Sequence, residues 1–166
     1  MSQDNAAIYT LEVPNYTMSR RAISGDYRYD YGQRMVQVGY RAFITGGHKD
    51  PKKCLSLSID PSTNTFKSTV KASMLRARDR HSACVYGRGF RYIFVSGAYN
   101  GPQARSVERY DTFTDTWRVM ASLNIGRSFH ASCSAKNGND RSESVYVFCG
   151  FQKTKNNTLQ SVEKLL

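Results

Sequence analysis

The strongest constraint on this chain is a pattern that recurs at a nearly fixed distance. Asp60, Phe66, Met74, Arg78 and His81 are answered in the same order by Asp111, Trp117, Leu123, Arg127 and His130, each pair 49 to 51 residues apart. An apolar run closing on a small residue and a glycine recurs three times: Phe43-Ile44-Thr45-Gly46-Gly47, Ile93-Phe94-Val95-Ser96-Gly97 and Tyr146-Val147-Phe148-Cys149-Gly150. A period near 50 residues marks a repeat architecture, in which each unit buries its faces only against its neighbours.

Inside each period the residues read as short strands. Met35 to Val38 and Ala42 to Thr45 form a hairpin around Gly39. Leu55 to Ile59 alternates strictly, Asp60-Pro61-Ser62-Thr63-Asn64 has turn chemistry, and Phe66 to Val70 follows as an outer strand. The cycle restarts at His81 and again at His130, and nothing reads as a long helix. Eleven Tyr and eight Phe suit strands better than helices. The fold class expected is therefore all-β. A four-stranded antiparallel sheet with two apolar faces cannot cover both alone, and radial stacking of such sheets is the logic of a β-propeller. Ile8 to Val13 reads as a strand ended by Pro14. The stretch from Met18 to Gln33, with Tyr27, Tyr29 and Tyr31 at alternate positions, reads as a loop.

Three phased repeats carry a family resemblance. Gly46-Gly47, Tyr110 with Trp117 seven positions later, and Leu123 followed by Arg127 and His130 resemble the kelch repeat, and Ile59, Phe66, Met74, Arg78 and His81 repeat its second half. Ser96-Gly97 and Cys149-Gly150 stand where a double glycine is expected, and Phe66 where a tryptophan is. The resemblance implies a partial kelch-type propeller of about three to three and a half four-stranded antiparallel blades. The expected divisions are an N-terminal segment, 1–33, holding a remnant blade strand at 8–13, then repeats at 34–74, 75–123 and 124–166, the last cut short. Closed propellers usually have four to eight blades. Such a chain should leave blade faces open, as a fragment, a degenerate product or half of an assembly.

The repeated positions explain themselves as structure. Gly46, Gly47, Phe66, His81, Gly97, Tyr110, Trp117, His130 and Gly150 are expected to shape and pack blades. His81 with Cys84, and His130 with Cys133, suggest zinc half-sites, but residues three apart on a strand point to opposite faces. No metal site, cofactor or catalytic constellation is expected, and an enzyme on a propeller scaffold is the remote alternative. No cysteine pair has metal or redox spacing. With no basic-then-apolar leader at residues 1–12 and no apolar run long enough to span a membrane, four reduced thiols in a cytoplasmic protein are expected.

The net charge of +11 points to acidic partners. In four-stranded blades the loops between second and third strands share a face with the connections between blades. That face gathers Lys49, Lys52, Lys53, Arg76, Arg78, Arg105, Arg127, Lys153 and Lys155, and Arg80 adds to its charge. The opposite face, with Asp60, Arg88, Arg91, Asp111, Asp115, Lys136, Asp140, Arg141 and Glu143, is near neutral. Arg78 and Arg127 have a structural reading, bonding backbone or a carboxylate between blades, beside the ligand-facing one. In kelch-like adaptors the first face usually receives a partner peptide. The expectation is a non-enzymatic protein-interaction module for an acidic or phosphorylated segment. As the resemblance implies, it would be a substrate-recruiting adaptor or cytoskeletal binder, with self-association as a way to complete the propeller. An electrostatic binder of nucleic acid or phosphoinositide is the alternative. It rests on the charge and on the 27–31 stretch as the sole stacking platform.

Overall fold

The computed structural model describes residues 7–12, 15–99, 101–136 and 142–165. Val13, the expected strand end at Pro14, and the Asp140 and Arg141 charges lie outside these residues. The chain opens on an antiparallel hairpin, β1 (Ala7–Glu12) with β2 (Thr17–Ser24). Blade 1 follows as β3 (Arg34–Val38), β4 (Arg41–Thr45), β5 (Cys54–Asp60) and β6 (Thr65–Val70), paired in order and antiparallel. Blade 2 repeats the plan with β7 (Ser82–Tyr86), β8 (Tyr92–Ser96), β9 (Val107–Asp111) and β10 (Thr116–Val119). Blade 3 has three strands, β11 (Ala131–Lys136), β12 (Glu143–Phe148) and β15 (Val162–Lys164). A two-residue pair, β13 (Phe151–Gln152) with β14 (Asn157–Thr158), sits in its long loop. Short 3₁₀ turns at Arg88–Phe90, Pro102–Arg105 and Lys153–Lys155 are the helical elements described. No helix among the described residues is long and apolar enough to cross a membrane.

The alternation explains the packing. Val36, Val38, Phe43 and Cys54 on one face of blade 1 meet Ile93, Val95, Tyr110 and Trp117 of blade 2. The other face of blade 2, with Cys84, Phe94 and Val107, meets Val145 and Val147 of blade 3. Met74 and Leu123, at matched places in the interblade connections, seal the two cores and are 1% and 0% exposed. The turn at Asp60 forms as its residues predict: the Asp60 carboxylate accepts from the Ser62 N–H at 2.9 Å, and Asn64 takes the left-handed φ of 54° that ends the turn.

One expectation needs correction: residues 17–24 are a strand, not part of a loop. The expected N-terminal strand is half of a hairpin whose second strand extends blade 1. β2 joins β6 in parallel at Ile23–Phe66 and Ser24–Lys67, and Ile8, Ile23 and Tyr27 pack with Phe66 against Ile44, Leu55 and Leu57. Trp117 of blade 2 packs toward blade 1, and Phe66 packs the corresponding way against this hairpin. The hairpin thus stands where a preceding blade would, and one of the two expected open faces is covered.

The far face of blade 3 carries no such cover among the described residues. Register aligns Cys133, Tyr146, Phe148 and Val162 with Cys84, Phe94, Ser96 and Val107 of blade 2. The blade 2 set is buried beneath blade 3, whereas Cys133 is exposed and Val162 is 54% exposed. Tyr146 and Phe148 lie side by side on this face, their rings tilted by 36° with centroids 6.4 Å apart. All four cysteines are free thiols. Cys54 and Cys84 serve as small apolar fillers of the core, and burial pushes their thiols up to about 12 and about 11. Cys133 and Cys149 are exposed.

Candidate functional site

The recurring arginine and histidine tie each blade to the next. Arg78, 1% exposed, reaches from the connection after blade 1 into blade 2. Its guanidinium donates to the Gly97 carbonyl at 3.0 Å, to Ser106 and to the Glu108 carboxylate at 2.5 Å. Glu108 in turn accepts from the backbone N–H groups of Leu75 and Arg76 at 2.8 and 3.0 Å. Arg127 repeats this in blade 3, donating to Cys149, Ser161 and Glu163, while Glu163 accepts from Asn124 and Ile125. Each pair is buried, and a buried charge persists only when hydrogen bonds hold it, here at every guanidinium nitrogen of Arg78 but the Nε. Arg78 and Arg127 therefore do not belong to a ligand-facing surface; their structural reading is the one observed. Glu108 and Glu163 escaped the sequence reading, although Ser106-Val107-Glu108 recurs as Ser161-Val162-Glu163.

His81 and His130 work in the same seams. The Nε2 atoms lie 2.8 Å from the Thr45 hydroxyl and 2.9 Å from the Ser96 hydroxyl of the preceding blade. Cys84 and Cys133 point to the following side, so the His–Cys pairs do not converge. Among the described residues no group of three or more His, Cys, Asp or Glu is placed to hold a metal. Gly46 and Gly97 are required at these seams: both have positive φ, 61° and 70°. A Cβ there would press on the Arg78 or Arg127 carbonyl and come within 2.7 or 2.6 Å of the His81 or His130 ring. In blade 2 the glycine register shifts by one from the sequence reading, and in blade 3 it stays. Gly97-Ala98 and Cys149-Gly150 match Gly46-Gly47, because Gly46, Gly97 and Cys149 make the same N–H bond to the start of the third strand, and Gly47 and Ala98 the same bond to the next Arg carbonyl.

Burial, then the nearby arginines Arg127 and Arg34, lowers the His130 pKa to about 3, and burial with Arg78 holds His81 well below its ordinary 6.5. Each Nδ1 is buried without a partner, so an imidazolium would strand a donor. Below pH 6.5 the unfolded chain binds protons that the folded chain refuses. Stability is thus full above 6.5 and falls by about 1.4 kcal/mol per pH unit for each ring. Denaturant titrations at pH 7.5 and 5.5 should differ by about 2–3 kcal/mol. The His130→Gln variant, which copies Gln33 at the matching place in blade 1, should show about half that slope.

The loops on the basic face do come together. Met74 and Arg78 donate to the carbonyls of Lys52 and Pro51, and Leu123 and Arg127 to those of Arg105 and Ala104. Lys49, Lys52, Arg76 and Lys155 are exposed on this face. Lys53 bonds the Asp26 carbonyl at 3.2 Å and Arg105 the Leu123 carbonyl at 2.8 Å. The centre of the face is a cluster that no repeat motif announced. Gly32, Arg80 and Phe129 occupy one repeat position, just before the innermost strands, and are joined by Arg80 N–H to Gly32 and Phe129 N–H to Arg80 carbonyls. His48, Tyr99 and Phe151 occupy another and bond the residues preceding them. The Arg80 guanidinium lies 4.2 Å from the Tyr99 centroid, 5.1 Å from Tyr31 and 5.5 Å from Phe129. Lys153 lies over Tyr99 at 4.2 Å, and Tyr31 stacks on His48 at 4.6 Å. Asp79 partners Arg80 at 2.8 Å. Beside the cluster is a mainly apolar cavity of about 460 Å³, walled by Tyr99, Ala104, Gly126 and Phe151 with Arg105 and Lys153 at its edge. The 27–31 stretch is no stacking platform: Tyr27 packs inward, Asp30 is buried and accepts from Lys49 N–H at 2.7 Å, and Tyr31 is held by His48.

No family model matches the chain. Proteins named Kelch domain-containing protein 3 from Rattus norvegicus and Mus musculus are each 29% identical to it over 129 residues, 72% of this chain and 31% of their own length. The protein of that name from Bos taurus is 32% identical over 111 residues, 61% of this chain and 28% of its own. The chain is similar in sequence to proteins of the kelch-repeat family. It spans about a third of the length of these kelch relatives. Among solved structures, that titled Structure of YjhT matches 94% of this chain with 48% of its own, at a TM-score of 0.69 and 12% identity. A fungal alcohol oxidase of the AA5 family, in complex with copper, matches 86% with 32% of its own, at 0.66 and 15%. At such identities the likeness is one of fold, and it agrees with the kelch blades described above.

Proposed function

We propose that this chain is a non-enzymatic protein-interaction module whose loop face receives an acidic segment of a partner protein. The observation that carries the reading is Arg80, held among Tyr31, Tyr99 and Phe129 at the mouth of the apolar cavity. A guanidinium fixed by aromatic faces loses little freedom on meeting a carboxylate, and an adjoining apolar hole takes a neighbouring side chain. Lys49, Lys52, Arg76, Arg105, Lys153 and Lys155 surround this point and raise the rate of encounter more than the final affinity. Free, unstrained thiols suit a cytoplasmic setting. The test is a dodecapeptide array rich in Asp and Glu, read with labelled chain. Peptides with an apolar residue within two positions of an acid should be selected, and Arg80→Glu should weaken them at least tenfold, about 1.4 kcal/mol. Arg88→Glu on the opposite side should change nothing. Equal binding of neutral peptides, or no effect of Arg80→Glu, sinks the reading.

Self-association is part of the same reading. The hairpin covers the far face of blade 1, so the bare blade face that a second copy offers among the described residues is its own blade 3 face, which sets up a two-fold contact. Light scattering should give twice 18.8 kDa, and Phe148→Glu should return the chain to monomer; a wild-type monomer at high concentration rejects it.

A further inference from the structure

The opposite, near-neutral side of blade 2 holds a second basic site. A cavity of about 310 Å³ opens there, walled by Arg91, Arg109, Arg118, Asp111, Thr114 and Thr116, with Tyr92 beneath. Arg109 and Arg118 are directly opposed across β9 and β10. Like charges in opposed sheet positions repel. Counted from the Asp60 and Asp111 turns, the matching pair in blade 1 is Ser58 opposite Lys67, which carries one charge and no like-charged neighbour across the ladder. The one carboxylate in the cavity does not relieve the two arginines. Asp111 is held by Arg91 through three contacts of 2.6 to 3.1 Å, accepts from the Phe113 N–H, and is kept down to about 2, chiefly by the Arg91 bond. Arg109 and Arg118 make no hydrogen bond or ion pair among the described residues, and the Arg109 Nε is buried without a partner. The Tyr92 ring, 4.3 Å away, holds the Arg109 guanidinium in place. The Thr114 and Thr116 hydroxyls, 2.8 Å apart, add donors at the rim.

We infer that blade 2 binds a phosphate dianion between Arg109 and Arg118. Two planar guanidinium forks match the oxygens of a tetrahedral oxyanion, and the anion supplies the charge that the opposed pair lacks. The cavity is larger than one phosphate group, so it admits phosphate carried on a small organic group as well as the free ion. The site is separate from the loop face and does not depend on the function proposed for that face.

The test is a thermal melt of the whole chain in inorganic phosphate against sodium chloride of equal ionic strength. Phosphate should raise Tm by about 3 °C or more when it is well above its Kd. Arg118→Gln, an exposed substitution that leaves the fold intact, and the Arg109→Gln/Arg118→Gln double should both lose the shift. The double should melt no lower than the wild type in chloride, since its repulsion is gone. Arg80→Glu on the other face should keep the shift. A shift that survives in Arg118→Gln, or that chloride reproduces, overturns the site, as does the absence of any shift. Equilibrium dialysis with phosphate and phosphoserine separates the sources: equal retention assigns the free ion, and stronger retention of phosphoserine assigns an attached group.

Discussion

Replacing Arg78 by methionine is expected to cost about 3–5 kcal/mol, the usual penalty for stranding one member of a buried ion pair. The loss is large because Glu108 is fully buried and its charge would have only two backbone N–H donors left. The Gly97 carbonyl would also lose its guanidinium donor, and the Ser106 carbonyl would keep only the Gly97 N–H. Domains of this kind have only about 5–15 kcal/mol in total, so the variant should be largely unfolded in mild urea. The double variant Arg78→Met/Glu108→Leu separates charge from packing. Blade 1 already places Leu55 where blade 2 has Glu108, and Asp30 where it has Arg78. The double should regain about half of the loss, the remainder being the Leu75 and Arg76 N–H groups left unpaired. If the double is no better than the single, the carboxylate is not what the single variant strands.

Trp117→Ala should cost about as much, roughly 3–5 kcal/mol for an aromatic deleted from a packed core. Trp117 fills the seam beside Tyr110, 4.9 Å away, and its indole N–H donates to the Ala72 carbonyl at 2.7 Å. Alanine leaves a cavity between blades 1 and 2 and an unpaired carbonyl in the connection that joins them. Trp117→Phe, which copies Phe66, should cost less than half as much. The chain has one tryptophan, so unfolding must be followed by far-ultraviolet circular dichroism. A loss below about 1 kcal/mol for alanine would mean that the seam closes around the gap.

The blades were legible because their rule is local and repeated. Alternation at residues 55–59, the Asp60 turn and the spacing of Phe66 and Trp117 needed no knowledge of distant contacts. The hairpin was not legible as a cover. Thr17–Ser24 is mostly polar, and it meets β6 through two parallel residue pairs that no neighbouring sequence specifies. The loop face was half legible. Counting charges picks out loops that the fold brings together, but counting cannot separate Arg80, displayed on aromatic rings, from Arg78, two residues earlier and sealed against Glu108. The central cluster was hidden for another reason. Its members share a backbone position but not a chemistry: glycine, arginine and phenylalanine at one place, histidine, tyrosine and phenylalanine at the other.

The β1–β2 hairpin also sets a valence. A stack with two bare blade faces is bifunctional, and head-to-tail addition of such units continues until a ring closes or a fibre grows. With Ile8 and Ile23 laid over blade 1, one of those functions is blocked. Among the described residues the far face of blade 3 is then the one left bare. If the proposed self-association uses that face, the chain, like a capped monomer in a polymerisation, takes one mate and growth stops at a pair.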